Sequence, residues 1–107
     1  MSNKITKAQI QQSSIPEEKK ITDPSTVPVL FHKDKQRILK LLIEKDMNIN
    51  ELKNATNTNP GTIKRHIDDL IEKELIFLSQ IVKNEYGFTL KYYRATAKHF
   101  TVILDWP

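Results

Sequence analysis

The chain contains no cysteine, which removes disulfides, thiolate metal sites and cysteine nucleophiles from consideration. Glycine is nearly as scarce, with two in 107 residues, so there is no glycine-rich loop to cradle a phosphate. Long apolar runs are missing as well. The longest, residues 75–78 and 102–104, fall far short of the roughly 20 residues that span a bilayer. The N-terminal MSNKITKAQI has no apolar signal-peptide core, so a cytoplasmic protein without membrane contact is expected. No nucleophile–base motif or plausible carboxylate pair stands out, and the chain reads as neither an enzyme nor a cofactor carrier.

What is present describes one small domain. Hydrophobic residues make up 38% and charged residues 28% of the chain, enough for a modest core. The net charge of +4 and pI near 9.3 lean mildly towards a polyanionic partner.

Residues 1–22 are polar and aperiodic and read as a flexible N-terminal tail, leaving 23–107 as the domain. Asp23-Pro24 has the form of a helix start, and Val27, Leu30 and Phe31 then share one side. From 35 to 45 the helical signal is strong, with Ile38, Leu39, Leu41 and Leu42 on an apolar stripe. Residues 46–48 break it. Ile49 is placed to make one strand-like pairing before the next helix begins at Asn50.

The stretch INELKNATNTNPGTIKRHIDDL, residues 49–70, is the most informative. Ile49, Leu52 and Ala55 recur at helical spacing, as do Ile63, Ile67, Leu70 and Ile71. Between them, Asn57 tolerates the left-handed conformation of a helix C-terminus, Asn59 suits a cap, and Pro60 fits a first helical turn. This is a helix-turn-helix. Its second helix presents Thr62, Lys64, Arg65 and His66 away from the apolar stripe, and its later turns are acidic at Asp68, Asp69, Glu72 and Glu74. Groove docking needs only the cationic leading half. Gly61 offers close backbone approach to a phosphate or base edge, or is simply tolerated. His66 either donates to DNA or packs its ring over the helix.

Beyond this helix the period changes. Residues 76–82 and 90–96 are β-prone and flank a polar loop containing Gly87, which makes a hairpin. Tyr86 at its tip, with Lys83, Lys91 and Arg94 around it, suits contact with a DNA backbone or minor groove. Of Tyr92 and Tyr93, alternation places one in the core, Tyr93 being the better candidate. The closing segment, 97–106, has Phe100, Ile103 and Leu104 at helical spacing, although its Thr-Val-Ile core would also suit a strand. It is read as a short helix, with Phe100 inward and Trp106 partly at an interface. His32, His66 and His99 show no metal-ligand spacing, and no metal site is expected. A helix-turn-helix followed by a hairpin is a winged helix, a mainly α fold with a β-hairpin (α+β).

The chain resembles the ArsR-type winged-helix transcriptional regulators, particularly their archaeal and metal-independent relatives. The likeness is carried by ITDPSTVPVLFHKDKQRILKLLIEK, by INELKNATNTNPGTIKRHIDDLIEKELI and by YYRATAKHF. It implies that the segment NPGTIKRHI is a recognition helix and that the two β-runs form a wing. It also implies a homodimer on double-stranded DNA. The family's cysteine pair on the helix reading ELKNAT is absent, so thiolate sensing is not inherited. The expectation is a sequence-specific DNA-binding regulator, contacting DNA through Asn59, Gly61, Thr62, Lys64, Arg65, His66, Lys83, Tyr86 and Lys91. The rival reading, drawn from the acidic second half of the same helix and the apolar C-terminus, is a winged-helix protein–protein module. Lys35, Lys53 and Lys98 are further candidates for phosphate contact.

Overall fold

The computed structural model describes residues 14–105. Strand β1, Glu18–Ile21, comes first, followed by one 3-10 turn, Pro24–Thr26. Asp23 caps that turn by accepting from the Ser25 N–H at 3.0 Å, and Pro24 sits at its first position. That bond and a second, donated by the Ser25 hydroxyl at 2.8 Å, hold the exposed Asp23 carboxyl below its ordinary pKa. Helices α1 (Val27–Leu30) and α2 (Lys33–Glu44) follow. Pro28 is accommodated in the first turn of α1, where a missing N–H costs nothing. Helix α2 buries Ile38, Leu39 and Leu42.

Met47 then pairs with Tyr93 through bonds of 3.1 and 2.9 Å. The single strand-like pairing expected at Ile49 therefore falls two residues earlier, for a local reason. Asn48 accepts from the Glu51 N–H at 2.8 Å, while Glu51 accepts from the Asn48 N–H at 3.0 Å. This capping box starts α3 at Ile49 and removes that residue from any strand.

Helices α3 (Ile49–Thr56) and α4 (Pro60–Glu72) form the helix-turn-helix. Asn57 ends α3 in the left-handed conformation, φ 53°, with its N–H on the Lys53 carbonyl. Asn59 caps α4 and Pro60 takes its first position. Ile63, Ile67 and Leu70 are buried against Leu39, Leu42 and Leu52 in a single core. Beyond α4, strands β2 (Ile76–Lys83) and β3 (Thr89–Ala95) pair antiparallel from Ile76 opposite Ala95 to Lys83 opposite Thr89. A register break lies between Leu78 and Gln80.

The two ends of the domain depart from expectation. Residues 97–105 do not form a helix: strand β4, His99–Val102, pairs in parallel with β1, Ile21 lying opposite Val102. Branched Thr101 and Val102 favour extended backbone. Alternation turns Phe100 and Val102 towards the core and leaves Thr101 exposed. The tail reading of 1–22 changes with it, since Ile15 and Ile21 are buried in the core. Met1 to Ser13, the first part of that tail, and Trp106 lie outside the described residues. Phe100 packs inward as expected.

Candidate nucleic-acid interface

Helix α4 meets the core along Ile63, Ile67 and Leu70 and turns its opposite side to solvent, where Asn59, Pro60, Gly61, Lys64 and Arg65 are exposed and Thr62 is half-buried. The cap is local. The Asn59 side-chain oxygen accepts from the Gly61 N–H at 2.7 Å, and a Cβ on Gly61 would stand 3.1 Å from that same oxygen. Glycine at 61 thus gives the capping carboxamide room to fold over the helix start, a reason independent of any ligand. Asn59 is in turn committed to the cap through its oxygen.

Lys64 bonds Asp68 at 2.7 Å, one turn on, and this bond raises the lysine pKa. Asp69 is held below its ordinary pKa, mainly by a hydrogen bond from Lys35, with which it pairs at 2.9 Å. Lys35, offered above as a phosphate ligand, here ties α2 to α4. Lys98 likewise lies 3.6 Å from Glu17, while Lys53 is exposed.

His66 does not point outward with Arg65. It is half-buried, its ring centroid 5.1 Å from that of His32 at a tilt of 56°, and its Nε2 is buried without a hydrogen-bond partner. Burial first, then His32 and Lys35, push its pKa below the ordinary value. Of the two readings left open for this residue, ring packing is the one that the geometry matches. His32 and His66 are 34 positions apart in sequence but adjacent here, and His32, Asp34 and His66 place donor atoms within 4.8 Å of one another.

The wing tip is organised by Asn84. Its side-chain oxygen accepts from the Tyr86 and Phe88 N–H groups at 3.0 and 2.9 Å. Its backbone closes the loop with Phe88 at 2.8 Å, and Gly87 supplies the positive φ of 85° that the turn requires. Tyr86 and Phe88 protrude, 77% and 68% exposed, with Lys83 and Lys91 exposed behind them. The missing member is Arg94. It is buried, donating to the Leu42 and Ile43 carbonyls at 3.0 and 3.1 Å and lying 3.6 Å from buried Asp46. Asp46 also accepts from Ser79 at 2.7 Å. This hub fastens the hairpin to the C-terminal end of α2, whose last carbonyls lack helical partners. Tyr92 is buried as well as Tyr93 and not exposed opposite it: Tyr93 and Ala95 join the core cluster, and the other face of β3 is covered too, Tyr92 and Arg94 both being buried. Burial also raises the Tyr93 pKa.

The architecture is a winged helix-turn-helix. Residues 32–76 match the family model described as bacterial regulatory protein, arsR family, so the helix-turn-helix segment is similar to that family's. Among solved structures, a putative transcriptional regulator from Thermoplasma acidophilum is 24% identical with a TM-score of 0.57, over 64% of this chain and 71% of its own. A double mutant of ZitR from Lactococcus lactis is 22% identical with a TM-score of 0.55, over 64% of this chain and 44% of its own, so less than half of ZitR is matched. A homodimeric winged helix-turn-helix DNA-binding domain from Mycobacterium bovis, a possible ArsR-family transcriptional regulator, is 19% identical with a TM-score of 0.54, over 68% of this chain and 62% of its own. At these identities the likeness is one of fold. No curated protein sequence matches the chain. No helix among the described residues is long and apolar enough to cross a membrane.

Proposed function

We propose that this chain is a DNA-binding transcriptional regulator, cytoplasmic and without catalytic activity, acting as a homodimer on double-stranded DNA. The observation that carries this reading is the posture of α4. Ile63, Ile67 and Leu70 are wholly buried, and the outward side of its leading half, with Gly61, Lys64 and Arg65, is exposed and cationic. A helix held in that way is suited to entering a major groove by its N-terminal end. Thr62 and Arg65 supply hydrogen bonds there, and Lys64 exchanges Asp68 for a phosphate. The wing tip at Tyr86, with Lys83 and Lys91, flanks the contact and adds salt-sensitive attraction.

Selection from randomised duplexes, followed by gel-shift titration, tests the proposal. The intact chain should enrich a defined site. Lys64→Ala with Arg65→Ala should weaken binding to that site by about five- to 150-fold, since a bidentate arginine contact alone contributes roughly 1–3 kcal/mol. Unchanged affinity in the double variant would remove α4 from the interface.

A further inference from the structure

We propose that His32, Asp34 and His66 form a binding site for a divalent transition-metal ion of the zinc, cobalt or nickel type, solvent completing its shell. The site does not rest on the DNA-binding reading. Two imidazoles and one carboxylate are a donor set that these borderline ions accept and that magnesium or calcium does not favour.

Three observations point to it. The fold brings the three residues from two different helices, His32 capping α2, Asp34 in the first turn of α2 and His66 in the middle of α4. Their donor atoms already lie within 4.8 Å of one another. In a tetrahedral zinc shell of about 2.0–2.1 Å bonds, ligand atoms stand about 3.3 Å apart, so closure needs movements of about 1.5 Å. His32 and Asp34 are exposed and free to make them by changes of rotamer. Finally, the His66 Nε2 is buried with no hydrogen-bond partner, an arrangement that leaves desolvation uncompensated. A coordinated cation removes that deficit.

The surrounding charge does not oppose the ion strongly, because Lys35 beside the pair is neutralised by Asp69 at 2.9 Å. Coordination has one local cost. The His32 Nδ1 accepts from the Lys35 N–H at 3.3 Å, and this bond is given up whichever ring nitrogen ligates, since the neutral ring has a single lone pair. The bond is long, so the exchange is cheap. The ion would pin the start of α2 to the middle of α4, next to Arg65.

Cobalt(II) titrated into the untagged full chain, stripped with a chelator beforehand, tests the site. Its visible ligand-field bands should saturate at one ion per chain. Competition should give the same stoichiometry for zinc(II), and zinc should raise the thermal midpoint. His32→Ala and His66→Gln should each weaken binding by more than about tenfold, as even second-shell changes cost that much. Asp34→Asn, on the surface and close in shape, should lower affinity with the apo-protein melting unchanged, and His99→Ala should bind as the parent does. Binding that survives both His32→Ala and Asp34→Asn, binding lost in His99→Ala, or no cobalt signal at a tenfold excess of ion would overturn the proposal.

Discussion

Arg94 shows how one side chain can hold a wing to its scaffold. Its guanidinium forks onto two carbonyls at the end of α2 and faces the Asp46 carboxylate. Arg94→Ala would strand a buried anion and two carbonyls. Breaking a buried pair in this way costs roughly 3–5 kcal/mol, and the loose 3.6 Å contact places this pair towards the lower end. Urea unfolding should show the midpoint fall with little change in slope. Adding Asp46→Asn to Arg94→Ala should cost less than the sum of the two single changes, because the stranded charge is gone. Strict additivity would mean that the two residues act independently. Composition hid this role: a cation beside tyrosines in a hairpin strand has the look of a DNA contact, and only its burial at the base of the hairpin, opposite Phe77, shows otherwise.

At the level of elements, legibility followed the range of the interactions. The turn from α3 to α4 was readable because its chemistry is local: Asn57 in the left-handed region, Asn59 as cap and Pro60 at the first position each act within a few residues. The β1–β4 pair was not, because its strands are separated by the whole domain and each supplies the reason for the other. Branched residues near 101–103 were ambiguous alone, and Glu18–Ile21 had no periodicity to announce a strand. The proximity of His32 to His66 was hidden in the same way. The pairing makes a prediction about residues first taken for a tail. Ile21→Ala should destabilise the domain by about 2–5 kcal/mol, the usual cost of emptying a buried isoleucine site, whereas Lys20→Ala on the exposed side should stay within about 0.5 kcal/mol. Chemical denaturation of the two variants separates these outcomes. Equal, small effects would return β1 to the status of a passive tail.

Across the whole molecule, the net charge of +4 matters less than its distribution along α4, where Lys64 and Arg65 precede Asp68, Asp69 and Glu72. If the leading end docks on DNA, Asp68 is the nearest anion to that contact, and it holds Lys64 at 2.7 Å. An exposed pair of this kind contributes little to folding, so its loss should leave the thermal midpoint nearly unchanged. Its effect on binding should be larger. Asp68→Asn releases the Lys64 ammonium for a phosphate and removes a charge that repels the backbone. One additional neutralised phosphate steepens the dependence of log affinity on log salt by about 0.9. Asp68→Asn should therefore bind its selected duplex more tightly at low salt and lose that advantage as salt rises. Glu72→Gln, one turn farther from the leading end, should change the slope much less. Titrations by fluorescence anisotropy at several salt concentrations would measure both. If Glu72→Gln proved the more sensitive variant, α4 would be meeting the duplex by its trailing end or along its side.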